Sequence, residues 1–243
     1  MSQKAMVLMY HNIGVPPKDA GLRSLYVTPR MFRYQMWYLR AAGFRVAPLE
    51  VVADFAEAGG TEKIIALTFD DGFEDFFHNA YPVLREYGYP STVFIVSDRV
   101  GGENRWDAGS VGVRKRLLTW EQINELKNNN VTFGSHTRTH PFLSRLVDEQ
   151  IAEEVAGSKR TIEERLNLPA DTFCYPYGDY DSRVAEAVRN AGYRCAVTTK
   201  RGRVLRGDSL FELRRSFIRL NTHPLLFSIK LHTAYEDRKG GRR

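Results

Sequence analysis

Short apolar runs recur along this chain, bounded by glycine, proline and polar residues, and they alternate with longer amphipathic stretches. Ala5 to Tyr10 is apolar without a break and predicts a first β-strand ending at His11. The stretch Asn12 to Tyr26, with Gly14, Pro16, Pro17 and Gly21, reads as loop. Thr28-Pro29 is a helix start, Thr as N-cap and Pro in the first turn. Phe32, Met36 and Leu39 follow at helical spacing up to a stop at Gly43. Phe44 to Val46 predicts a strand, and Pro48 to Ala58 a helix closed by Gly59-Gly60. Ile64 to Phe69 is apolar and β-branched, the pattern of a buried strand.

Beyond it, Glu74 to Tyr87 is helical in pattern, and Pro82 inside it should kink or divide the helix. Ser91 to Val96 predicts a strand. Asp98 to Leu118 has no periodicity and reads as a long loop containing Trp106. Thr119 and Gln122 stand in capping-box spacing at the next helix start. Val131 to Phe133 predicts a strand running to Gly134, and Asp148 to Leu166 a long charged helix. Asp171 to Tyr175 predicts a strand, Asp181 to Ala191 a helix, and Tyr193 to Thr198 a further strand. Leu213 to Leu220 predicts the last strand and Leu225 to Tyr235 a terminal helix. Such alternation argues for a parallel sheet, open and doubly wound or closed into a barrel. The length of 243 residues suits one α/β domain over 1–243.

In either architecture the reactive groups belong at the carboxyl ends of the strands. His11, the pair Asp70-Asp71, the segment Gly134 to His140 and Pro176-Tyr177 all fall just there. Two adjacent carboxylates at a strand end are costly unless a cation offsets them. His136 and His140, four residues apart, could face one ion together. One carboxylate and two imidazoles leave coordination positions open, as at a catalytic metal site, where a bound water becomes a nucleophile. The other carboxylate could take the proton from that water, and a general acid is then needed for the leaving group.

Composition narrows the partners more than the chemistry. The net charge is +6, with clusters around Lys200 to Arg206 and in the tail at Arg238, Lys239, Arg242 and Arg243. No nucleic-acid-binding motif accompanies it, so no nucleic-acid partner is expected. A solvated basic surface accounts for the excess; peripheral association with a membrane or an anionic glycan is compatible with it. Cys174 and Cys195 do not make a disulfide framework and read as buried thiols. No apolar run approaches a membrane span, and none near Met1 has a signal peptide's form. Taken as the native start, that predicts a cytoplasmic protein; an exported protein whose signal had been removed would read the same. Oligomeric state is not legible.

Thr68-Phe69-Asp70-Asp71-Gly72 and Ser135-His136-Thr137-Arg138-Thr139-His140 resemble the first two motifs of the polysaccharide deacetylases, the NodB-homology carbohydrate esterases of family four. Phe173-Cys174-Tyr175-Pro176-Tyr177-Gly178 resembles the third. The resemblance implies a distorted (β/α)7-type barrel and hydrolysis of an N-acetyl group on an amino sugar, with a carbohydrate as partner. It implies Asp70 as general base and Asp71, His136 and His140 as ligands of a divalent metal, zinc by default for such donors. It also implies that the Tyr177 backbone N–H stabilises the oxyanion. Where the family carries an arginine before its third-motif proline, this chain has Cys174. Arg215 is the preferred replacement for orienting the base, with Arg214 the alternative.

The family's Leu-x-His motif near the C-terminus is approximated by His232, in Lys230-Leu231-His232, in a segment predicted to be helix. His11 repeats the local pattern at the end of the first strand, as in the branch of the poly-N-acetylglucosamine deacetylases, and is the preferred general acid. Among the aromatics Trp106, Trp120, Tyr175, Tyr177 and Tyr180, Tyr177 and Trp106 are placed near the site, while His78 and His223 are given no role. Two rival readings remain: a deacetylase or deformylase of a lipid-linked or nucleotide-linked sugar, and a non-catalytic glycan-binding barrel. The intact acid and histidine set disfavours the second.

Overall fold

The computed structural model describes residues 4–107 and 113–241. In chain order it runs β1 (Lys4–Tyr10), β2 (Asn12–Ile13), β3 (Tyr26–Val27), α1 (Pro29–Ala41), β4 (Arg45–Val46), α2 (Leu49–Ala58) and β5 (Lys63–Phe69). Then come α3 (Tyr81–Tyr87), β6 (Ser91–Ile95), α4 (Trp120–Leu126), β7 (Val131–Ser135), α5 (Asp148–Leu166) and β8 (Thr172–Cys174). The chain ends with α6 (Ser182–Asn190), β9 (Cys195–Arg201), β10 (Leu213–Phe217), α7 (Pro224–His232) and α8 (Tyr235–Lys239). Every named strand pairing is parallel, in the order β1-β10-β9-β8-β7-β6-β5, and β1 also pairs with β5. The seven strands therefore close into a barrel. β4 hangs on the start of β5, through Arg45↔Ile64 and Val46↔Ile65, and takes no part in closure. The second edge of β5 is thus shared, β4 below and β6 above, which distorts the ring.

Alternation along the strands separates two layers. Met6, Leu8 and Tyr10 of β1 pack with Ile65, Leu67 and Phe69 of β5 against Phe32, Met36 and Leu39 of α1. The opposite parity, Ala5 and Val7 with Ala66, clusters instead with Phe94, Cys174 and Val197 in the barrel interior. α2 adds Leu49, Val52 and Phe55 to that interior cluster. Each such fully buried side chain contributes roughly 1.5–3 kcal/mol. Among the described residues, no helix is long and apolar enough to cross a membrane.

Local signals explain the helix ends. Thr28 Oγ1 accepts from Met31 N at 3.3 Å ahead of Pro29. Thr119 and Gln122 form the reciprocal capping box, at 3.3 and 2.9 Å. Pro82 stands at the second position of α3, and the turn before it, Phe76–Ala80, is π-helical. Lacking an N–H, proline cannot continue the α ladder, so the helix divides here as its sequence predicts.

Four details differ from the sequence reading. Asn12 to Tyr26 is mostly loop, but its ends are tied by Asn12↔Tyr26 and Ile13↔Val27, which bury Ile13 and Val27. The β9 strand runs later than expected, to Arg201. The terminal helix breaks at Thr233, which takes an extended conformation. The loop over 98–118 carries short 3-10 turns at Ser97–Arg99 and Arg105–Asp107, and 108–112 lie outside the described residues. So do Arg242 and Arg243 of the basic tail.

Gly134 of β7 faces the interior, where an added Cβ would lie 2.4 Å from Thr172 Oγ1 and 2.6 Å from Phe94 Cε1. Gly134→Ala is expected to overpack this layer and cost about 1–3 kcal/mol in chemical denaturation. An unchanged midpoint would contradict the tight packing of β6, β7 and β8.

Candidate active site

Strand ends bring the sequence-predicted residues together. His11 follows β1, Asp70 and Asp71 follow β5, His136 follows β7, and Tyr177 lies in the turn after β8. Leu22 and Leu25, from the loop between β2 and β3, complete the walls of the cleft that these residues line.

Arg215 enters from β10 and is fully buried. It makes a two-pronged pair with Asp70, Nη1 to Oδ1 at 2.6 Å and Nη2 to Oδ2 at 2.7 Å. Its remaining donors reach Thr198 O at 2.9 Å, Thr68 Oγ1 at 3.2 Å and Cys174 Sγ at 3.2 Å. All five guanidinium N–H groups are thereby matched, the condition under which a buried cation is tolerable. Cys174 stands where the family's arginine would be, and its small side chain leaves room for the guanidinium arriving from β10. Arg214 is directed elsewhere, donating to Arg201 O at 3.0 Å and Gly240 O at 3.2 Å. Burial alone would raise the Asp70 carboxyl, but Arg215, with help from His11 and His136, holds it below the usual carboxylate range.

Asp71 faces the imidazoles. Its Oδ1 lies 3.4 Å from Nε2 of His136 and 3.4 Å from Nε2 of His140. All three side chains are buried. Burial opposes ionisation of Asp71, and contacts from His136 and His140 outweigh it, holding the carboxyl well below its ordinary value. His136 Nδ1 donates to Cys174 O at 2.7 Å, since a carbonyl can only accept. That tautomer leaves the Nε2 lone pair aimed at the cluster. His140 Nδ1 is buried with no hydrogen-bond partner. Two imidazole nitrogens converging on one carboxylate oxygen, with candidate ligand atoms all within 4.8 Å of one another, fit a divalent cation. Cys174 Sγ forms a second such group with Asp70 and His136, but its sulfur is engaged by Arg215.

His11 stands on the other side of Asp70, Nε2 to Oδ2 at 3.8 Å, with its side chain 16% exposed at the cleft. His232 lies on α7 outside the barrel, its ring 5.5 Å from Phe44 and 6.1 Å from Tyr38. Tyr177 takes the left-handed conformation, φ 59°, and its exposed ring stacks on Phe142 at 4.0 Å. It also meets His140 edge-on at 4.5 Å, while Trp106 lies parallel to His140 at 4.7 Å. Trp120 is on the outer face of the fold, under Arg165. Tyr175 lines the cleft and stacks on Tyr180 at 4.5 Å. His78 lies beside Glu74, and His223 caps α7.

The turns that carry these groups are strained. Asp71 (φ 73°), Thr137 (φ 67°) and His140 (φ 68°) are left-handed without being glycine. Each such residue costs roughly 1–3 kcal/mol and must be held by its surroundings. Asp70 N is anchored to Tyr10 O at 3.0 Å, tying β5 to the strand that carries His11. His140 N donates to Thr137 Oγ1 at 3.0 Å, and Thr137 N to Ser135 Oγ at 3.1 Å. Sequence reasoning missed the partners on α5: Ser158 hydrogen-bonds Ser135 at 2.6 Å, and the Glu154 carboxylate receives the Arg138 and Thr139 amides.

The family model described as polysaccharide deacetylase matches residues 57–196. That segment holds Asp70, Asp71, His136, His140 and Tyr177, and excludes His11 and Arg215. The Bacillus subtilis protein YxkH is 30% identical over 214 residues, 87% of this chain and 70% of that protein. The Escherichia coli poly-β-1,6-N-acetyl-D-glucosamine N-deacetylase is 25% identical over 231 residues; the match spans 81% of this chain and 34% of that enzyme. The chain thus spans about a third of the Escherichia coli relative. The structure of the Streptococcus pyogenes deacetylase PplD in complex with acetate superposes with a TM-score of 0.82 and 27% identity, covering 94% of this chain and 98% of that one.

Arg215→Ala would leave the Asp70 carboxylate buried and unpaired. A loss of about 3–5 kcal/mol in unfolding free energy is expected. Adding Asp70→Asn removes the stranded charge and is expected to restore part of that loss. Wild-type stability of Arg215→Ala would contradict the part given to this pair.

Proposed function

The chain belongs to the polysaccharide deacetylase family, and from that premise we propose that it hydrolyses the N-acetyl amide of a GlcNAc-type amino sugar, releasing acetate. The substrate is a polysaccharide or glycoconjugate. Poly-β-1,6-N-acetylglucosamine is put first, because the Escherichia coli relative is named for it. The observation that carries this reading is the division of labour between adjacent carboxylates. Asp70 is clamped by a guanidinium, and Asp71 is turned towards two imidazoles.

Asp71, His136 and His140 would hold the cation, and their carboxylate and imidazole donors suit zinc. A divalent metal bound there supplies Lewis acidity towards the amide carbonyl and towards water. The protein's own groups do the rest. Asp70 is kept ionised by Arg215, so it can accept the proton of the attacking water. The Tyr177 N–H, presented by its left-handed turn, donates to the oxygen that gains charge as the carbonyl carbon becomes tetrahedral. His11 gives a proton to the amine nitrogen as the C–N bond breaks. The products are acetate and the free amino sugar.

Asp70→Asn tests the assignment. Acetate release from an N-acetylated β-1,6-glucosamine oligomer is expected to fall by about 10²–10⁴-fold, while zinc affinity stays close to that of the wild type. Full turnover in Asp70→Asn would remove Asp70 from the role of base.

A further inference from the structure

The turn from His136 to His140 is gripped from α5. Glu154 Oε2 accepts from the backbone N–H of Arg138 at 2.9 Å and of Thr139 at 2.9 Å, and Oε1 accepts from the Thr139 hydroxyl at 2.6 Å. One helical turn on, the Ser158 hydroxyl meets that of Ser135, just before His136. From the other side, Ser97 N donates to Thr137 O at 3.1 Å and Asp98 N to Arg138 O at 3.0 Å. Thr137 and His140, the two left-handed residues, flank the pair of amides that Glu154 receives.

We propose that Glu154 is a positioning residue for the metal ligands, its carboxylate organising the strained turn so that His140 Nε2 converges with His136 Nε2 on Asp71. Two successive backbone N–H groups and a hydroxyl present three donors to one point. An ionised carboxylate, which only accepts, is their complement. A glutamine would turn an NH₂ towards one of them. Glu153, the adjacent acid, contacts the side chains of Arg138 and Arg160 and, among the described residues, makes no hydrogen bond to the turn's backbone. It carries the same charge without the backbone contacts, so it separates the two effects. The proposal rests on the reading of Asp71, His136 and His140 as ligands.

The test is zinc affinity of the full chain, measured by competition with a chromophoric chelator, together with the thermal midpoint of the metal-free protein. Glu154→Gln is expected to weaken zinc binding by about 10–100-fold, the usual effect of removing a group that orients a ligand. Its metal-free midpoint should stay near that of the wild type, and Glu153→Gln should keep wild-type affinity. Wild-type affinity in Glu154→Gln, or an equal loss in Glu153→Gln, would overturn the proposal. His140→Ala separates the two layers of the argument. Undiminished affinity there overturns the ligand reading and the proposal with it. Affinity lost there but kept in Glu154→Gln overturns the positioning role alone. Should Glu154→Gln not fold, Thr139→Val deletes the hydroxyl contact by itself. A smaller loss of affinity is then expected, and none would overturn the proposal.

Discussion

The two-pronged pair between Arg215 and Asp70 is the interaction on which the centre of this molecule depends. A guanidinium in the throat of a barrel is tolerable only when each of its donors is matched. Here the acceptors come from β5, β8 and β9 and from the turn after β5, so the same contacts that neutralise the ion hold the strands in register. The pair also resolves the difficulty of two neighbouring acids. Asp70 has its cation built in, and Asp71 is left to the imidazoles. The main partner of each carboxylate is different, a guanidinium for Asp70 and the imidazoles for Asp71.

Strain marks the same place. Six described residues other than glycine have positive φ, and four of them are Asp71, Thr137, His140 and Tyr177. The other two, Asn130 and Asn167, are asparagines, which tolerate that conformation well. The strained backbone thus gathers around the cleft, where a side chain must leave a strand end in an unusual direction.

Much of this was legible in the sequence because strand ends and spacings are local. The runs before Asp70 and before His136 announce buried strands, and whatever follows a parallel strand faces the same end of the barrel. Choices between similar local patterns were legible only as preferences, for Arg215 over Arg214 and for His11 over His232. Arg214 and Arg215 differ only in strand parity, which the sequence leaves open until β10 is paired with β9 across its irregular register. His11 and His232 both follow short apolar stretches, and the closure of β1 against β10 places the first at the cleft while the second stays on an outer helix. Glu154 is one acid among many on a charged helix. Its partners are backbone amides, which leave no trace in a sequence.

Closure has a consequence for how the chain folds. β1 is the seam, paired along its length with β5 and, at Leu8 and Met9, with Ser216 and Phe217 of β10. Its second neighbour is therefore some two hundred residues further along the chain. Contacts of such high sequence separation are slow to form, because a long loop must be ordered before they reward it. A nascent chain could assemble β5 to β9 while the cleft stayed open on one side, with its acids exposed and Asp70 lacking its guanidinium. The cleft and the completion of folding are thus coupled: the last strand to arrive brings the guanidinium that pairs with Asp70.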